Sequence, residues 1–146
     1  MKIYLDTCAV QRPLDSRTHI RITLEAEAVL GIVALCEAGE IEFISSEVLH
    51  FEVTRNPVLE RREYALSVLA RASTFVYLDE EIEKRARAFQ AMGLKPLDAL
   101  HLATAEAGRA DYFCTTDDML LKRGKGIADL YTSVVSPIEL IEEIGQ

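Results

Sequence analysis

Short apolar runs alternate along this chain with longer stretches of helical periodicity. The runs Lys2–Asp6, Ile41–Ser45, Thr74–Leu78 and Asp111–Thr115 read as strands, with a weaker one near Ser133–Val135. Ile20, Leu24, Ala28, Ile32 and Leu35 recur at helical spacing and predict a helix from His19 to Glu37, stopped by Gly39 and long enough to cover one face of a sheet. Ser45 or Ser46 can cap the next helix, which must end before Pro57 because the residue ahead of a proline is disfavoured in helical conformation. Further helices are predicted from Leu59 to about Ala70, through Met92 behind a cap at Asp79, and from Leu97 to Ala107 with Pro96 as a favourable first-turn residue, Gly93 and Gly108 closing the last two. Thr116 or Asp117 begins a short helix, and Ser136-Pro137 opens the last, whose apolar side is Ile138, Leu140, Ile141 and Ile144.

Alternation of this kind implies a parallel α/β sheet. The 146 residues, 49% hydrophobic, suit a single domain spanning 1–146 with a real core, and no repeat, low-complexity tract or linker interrupts them. No apolar stretch approaches membrane-spanning length and the N-terminus lacks a basic-then-apolar leader pattern, so a soluble, cytoplasmic protein is expected. Cys8, Cys36 and Cys114 are odd in number and share no close motif, which predicts reduced interior thiols rather than disulfides or a zinc site. Cys8 stands two residues after Asp6 and is the one thiol that could face a pocket.

A formal net charge of −8 argues against gripping nucleic acid by bulk electrostatics. A nucleic acid substrate would need divalent cations over the carboxylates and a local basic rim. Candidates for that rim are Arg12, Arg17, His19 and Arg21 after the first strand, and Lys122, Arg123 and Lys125 after Asp117.

Four acids stand far apart yet beside apolar runs. Asp6 closes Ile3-Tyr4-Leu5, Asp117 follows Tyr112-Phe113-Cys114, Asp98 enters a helix behind Pro96, and Glu52 lies within Val48-Leu49-His50-Phe51-Glu52-Val53. In parallel α/β sheets ligands gather beyond the carboxyl ends of strands, where Asp6 and Asp117 both fall. Crowded carboxylates cannot all ionise without a cation, and oxygen ligands select Mg²⁺ or Mn²⁺ over zinc. Phosphoryl transfer with a metal-activated water is the chemistry such a site serves. Taken singly, each acid has a bland reading as a strand end, a helix cap or a solvated face. Glu47 shares a segment with Glu52 but falls in a first turn, where acids are common for dipole reasons. Thr7, Thr115, Thr116 and Asp118 neighbour the four, and Asp118 could replace or supplement Asp117. His101 lies one turn after Asp98, and a lone histidine there reads as a buried, hydrogen-bonded packing residue rather than a catalytic base.

Leu5-Asp6-Thr7, Ser46-Glu47 leading to Glu52, Pro96-Leu97-Asp98-Ala99-Leu100-His101-Leu102-Ala103-Thr104-Ala105 and Thr115-Thr116-Asp117 together resemble the PIN-domain nucleases over nearly the whole chain. The resemblance implies a three-layer α/β/α fold with a central, mostly parallel sheet of four to five strands. It implies that Asp6, Glu52, Asp98 and Asp117 bind Mg²⁺ or Mn²⁺ for endonucleolytic cleavage of RNA. Members of this size look like VapC-type toxins, which implies a homodimer held inactive by a cognate antitoxin. The segments Gln11-Arg12-Pro13-Leu14-Asp15-Ser16-Arg17 and Arg55-Asn56-Pro57 depart from the commonest toxin pattern and resemble a less familiar PIN subgroup. Two other functions compete: a catalytically silent PIN-like module binding RNA or protein, and a haloacid-dehalogenase-like phosphatase. The second acid which that phosphatase chemistry needs two residues after Asp6 is replaced by Cys8.

Overall fold

The computed structural model describes residues 1–145. Five strands, β1 (Lys2–Leu5), β2 (Glu42–Ser46), β3 (Thr74–Val76), β4 (Tyr112–Cys114) and β5 (Ser133–Val135), form one sheet in the order β3-β2-β1-β4-β5, and every neighbouring pair is parallel. The chain steps outward from β1 to β2 to β3, then crosses back to β4 and on to β5. Crossovers to both sides of β1 join these parallel strands through helices, in the three-layer α/β/α arrangement. The central strands are buried on both sides, so Ile3, Tyr4 and Leu5 of β1 form an unbroken interior run.

The helices are α1 (Thr7–Gln11), α2 (Ile20–Glu37), α3 (Glu47–Thr54), α4 (Leu59–Leu69), α5 (Glu80–Ala91), α6 (Pro96–Ala107), α7 (Asp118–Lys125) and α8 (Pro137–Ile144). The sequence signals that place their ends operate as physical caps. Ser46 accepts the Leu49 N–H, Asp79 accepts the Ile82 N–H, and Ser136 forms a reciprocal capping box with Glu139. Gly93, at φ 104°, adopts the left-handed conformation that ends α5.

Three local features differ from expectation. The first is α1, five residues long and followed by a 3₁₀ turn at Arg12–Leu14, which is too short to display a periodicity. The second is the rotation of α2. Its buried face is Glu25, Ala26, Val29, Ile32 and Val33, while Ile20 and Leu24 are 77% and 51% exposed. This helix is apolar around most of its circumference, so spacing alone does not set its phase. Charge pairing does: Arg12 and Arg21 both bond the buried Glu25 carboxylate. The third concerns the cysteines. All three are free thiols, but only Cys114 is fully interior, whereas Cys8 and Cys36 are partly exposed.

Gly124 of α7 packs flat against β5. A Cβ there would lie 2.8 Å from Val134 Cγ2 and 3.0 Å from its Cγ1. Alanine gains at most about 1 kcal/mol over glycine within a helix, whereas overpacking against a stiff β-branched side chain costs about 1–3 kcal/mol. Gly124→Ala is therefore expected to lower the urea midpoint. A higher midpoint would show that β5 yields easily.

Candidate active site

The site forms where the chain leaves β1 in one direction and β4 in the other, at the carboxyl edge of the sheet. Asp6 follows β1 directly and is buried. Its Oδ1 accepts the Thr7 N–H at 2.8 Å, so the carboxylate caps α1, and its Oδ2 accepts the Thr115 hydroxyl at 3.0 Å. Thr115 in turn accepts the Asp117 N–H at 3.1 Å, linking the end of β4 to the end of β1.

Glu52 projects from the second turn of α3. Its Oε1 receives a short hydrogen bond from the Thr7 hydroxyl and a 2.8 Å bond from His101 Nε2. Burial works against its charged form, but the bonds from His101 and Thr7 outweigh it and hold its pKa below the usual carboxylate value. Glu47, five residues earlier, is exposed and accepts the Leu78 N–H at 2.7 Å, a structural role.

Asp98 sits in the first turn of α6, behind Pro96. Among the described residues no hydrogen bond or ion pair reaches its carboxylate. Burial, followed by the negative charges of Asp6 and Asp117, raises its pKa. Asp98 and Asp117 line one cleft with Lys95, Leu120 and Arg123. Asp117 also caps α7, its Oδ1 accepting the N–H groups of Met119 at 2.9 Å and Leu120 at 3.1 Å. Asp118 turns away to Arg21, which holds both of its oxygens, at 2.8 and 2.5 Å.

The tightest cluster of candidate donor atoms among the described residues is Asp6, Glu52 and His101, all within 4.8 Å of one another. His101 is buried and hydrogen-bonded, as expected, but it faces the acids. Burial alone would push its imidazole down, yet the bond to Glu52 and the charges of Asp6, Glu52 and Asp98 raise its pKa above the ordinary histidine value. Cys8 also lies here, its Sγ 3.3 Å from Asp6 Oδ2. Burial, reinforced by the Asp6 charge, pushes this thiol up to about 12, so it stands at the site as a neutral SH group.

No lysine or arginine forms an ion pair with Asp6, Glu52, Asp98 or Asp117 among the described residues. The oxygen donors of these four acids, paired by no lysine or arginine, fit a hard divalent cation. The basic rim is only partly realised. Arg12 pairs with Asp15 and Glu25, Arg17 with Glu27, Arg21 with Glu25 and Asp118, and Lys125 with Glu139. Arg61 completes the group by bonding Asp15 at 2.7 Å. The arginines after β1 thus brace the fold, and the basic groups that border the acidic cleft are Lys95 and Arg123.

A family model described as the PIN domain matches residues 3–126. No curated protein sequence matches the chain. The chain is similar in structure to VapBC2 from Rickettsia felis, solved bound to a DNA fragment from their promoter, with a TM-score of 0.59 and 14% identity over 93% of this chain and 98% of that one. It is similar also to PAE2754 from Pyrobaculum aerophilum, with a TM-score of 0.56 and 14% identity over 99% of this chain and 90% of that one. These likenesses show a shared fold.

The folded protein holds the Asp98 proton more tightly than the unfolded chain does, so the stability contributed by this group is present at low pH and lost as pH rises through its raised value. In EDTA at pH 7, Asp98→Asn should melt a few degrees above wild type, and the gap should close as pH falls into the carboxylate range. Equal melting at pH 7 would show that the repulsion is not felt. Asp117→Asn retains the cap of α7, whereas Asp117→Ala should cost about 1 kcal/mol in chemical denaturation. Equal losses in both would refute the capping role.

Proposed function

The chain belongs to the PIN-domain family, and we propose that it is a divalent-metal-dependent endoribonuclease acting as one domain over residues 1–146. The observation that carries this reading is the close approach of Asp6 and Glu52 beside His101, with burial and then the charges of Asp6 and Asp117 raising the Asp98 pKa, and no lysine or arginine paired to any of the four acids. Mg²⁺ or Mn²⁺ suits these oxygen donors. Asp6 and Asp98 would hold it centrally, with Glu52 and Asp117 completing the shell. The bidentate engagement of Asp118 by Arg21 favours Asp117 over Asp118 for that role.

The chemistry such a cation supplies when bound is acidification of a water and stabilisation of the departing phosphodiester oxygen. The protein's own residues prepare the site for it. Thr115 holds Asp6 and the backbone of Asp117 together, Thr7 and His101 hold Glu52, and the first N–H groups of α7 hold Asp117. The neutral Cys8 thiol favours attack by water over attack by a protein nucleophile. Lys95 and Arg123, which border the cleft of Asp98 and Asp117, would be the groups to meet substrate phosphates.

The resemblance to VapC-type toxins, with the structural likeness to VapBC2, supports an antitoxin partner, a homodimer and a cytoplasmic setting. No described helix is long and apolar enough to cross a membrane. A silent PIN-like module binding RNA or protein is the second reading. The presence of all four acids in the chain weighs against it.

Cleavage of an RNA and single-stranded DNA panel with Mn²⁺, Mg²⁺ or EDTA, beside Asp6→Asn and Asp98→Asn, tests the proposal. Cutting of RNA should require the metal and fall by about 100-fold or more in either variant, the scale on which losing transition-state charge stabilisation is felt. Unchanged cutting in the variants, or in EDTA, would refute the mechanism.

A further inference from the structure

A continuous line of polar side chains runs through the interior to the acidic site. Ser46 Oγ accepts the Leu49 N–H at 3.0 Å and lies 2.9 Å from the Tyr4 hydroxyl, which lies 2.7 Å from His101 Nδ1, and His101 Nε2 lies 2.8 Å from Glu52 Oε1. Tyr4 and His101 are 0% and 1% exposed, so every link left open would bury an unpaired polar group. The Tyr4 ring is further fixed by stacking on Phe113, with centroids 5.5 Å apart and planes at 14°.

The direction of the final bond follows from the chemistry of its partners. An ionised carboxylate only accepts hydrogen bonds, so Nε2 carries a hydrogen and donates it to Glu52. With a neutral ring, Nδ1 accepts from Tyr4 and Ser46 donates to Tyr4. With a charged ring, Tyr4 turns and donates to Ser46. The Nε2–H bond to Glu52 is the same in both cases, so it does not depend on the protonation of His101.

The line also joins the elements that carry the acids. Tyr4 belongs to the strand that ends at Asp6, Ser46 caps the helix that bears Glu52, and His101 follows Asp98 by one turn of α6. The Glu52 side chain is 33% exposed, against 8% for Asp6. Fixing a glutamate costs about 1.5–2 kcal/mol of rotamer freedom, and the bonds from His101 and Thr7 offset it in advance. Both fall on Oε1, whereas Oε2 receives none among the described residues. His101 Nε2 stands 4.0 Å from Asp6 Oδ1, but its hydrogen is directed to Glu52, which argues against the ring as a cation ligand in its own right.

We propose that His101, oriented by Tyr4, is a positioning residue that fixes the Glu52 carboxylate beside Asp6 and thereby sets the affinity of the site for its cation. This rests on the reading of Asp6 and Glu52 as cation ligands. Partners that orient ligands of a metal change its affinity by about 10–100-fold when removed. An ordinary packing residue would change stability alone.

Two isosteric halves of the imidazole separate these cases. His101→Gln places an amide N–H near the Nε2 position and keeps a donor for Glu52, while His101→Asn places one near Nδ1 and removes it. Titration calorimetry with Mn²⁺ alone, on variants checked for cooperative melting, should give a His101→Gln affinity of the same order as wild type and a His101→Asn affinity about 10–100-fold weaker. Tyr4→Phe, which preserves the packing, should weaken Mn²⁺ binding severalfold and serves if His101→Asn does not fold. Equal Mn²⁺ affinity in wild type, His101→Asn and Tyr4→Phe, or in wild type and Tyr4→Phe where His101→Asn does not fold, would overturn the positioning role, provided Asp6→Asn still abolishes binding. No Mn²⁺ uptake by wild type, or uptake indifferent to Asp6→Asn, would overturn the nuclease reading and this inference with it.

Discussion

Repulsion among carboxylates that no lysine or arginine pairs is the constraint around which this molecule is arranged. Burial, and then the charges of Asp6 and Asp117, raise the Asp98 pKa, while Lys95 and Arg123 border the cleft of Asp98 and Asp117 without forming ion pairs to either. Elsewhere the chain pairs its charges carefully. The network of Arg12, Asp15, Glu25, Arg21, Arg61 and Asp118 satisfies even a carboxylate as buried as Glu25. The contrast is between an acid group braced by arginines and one that no arginine or lysine pairs, within a single acidic protein.

Two of the open acids are nonetheless held firmly, because they have a second task. Asp6 caps α1 and Asp117 caps α7, so two helix N-termini supply N–H groups that steady the charges. Glu52 lacks such a terminus and is steadied by side chains, Thr7 on one side and the buried line from Ser46 through Tyr4 to His101 on the other. Function and stability therefore share residues, and changes at the acids must be chosen to remove charge while retaining shape.

Much of this was legible in the sequence because parallel strands, covered on both faces, appear as apolar runs, and because serine, aspartate, proline and glycine mark helix ends for local reasons. β5 and the caps at Asp79 and Ser136 lie where those signals put them. The rest depends on contacts distant in sequence. The phase of α2 is set by Arg12 gripping Glu25, and nothing in the helix's own spacing reports it. The orientation of His101 is set by Tyr4, 97 residues away. Its place one turn after Asp98 signals only a shared helix face. The charges after β1 look like a basic rim until their acidic partners are brought to them by the fold.

Anomalous diffraction from Mn²⁺-soaked crystals would test the central claim most directly, since it locates the cation without relying on a substrate. A peak bounded by the carboxylates of Asp6 and Asp98, with Glu52 and Asp117 at its margin, is the outcome this arrangement requires. A peak elsewhere on the acidic surface, or none at saturating Mn²⁺, would mean that the open carboxylates serve some purpose other than holding a metal.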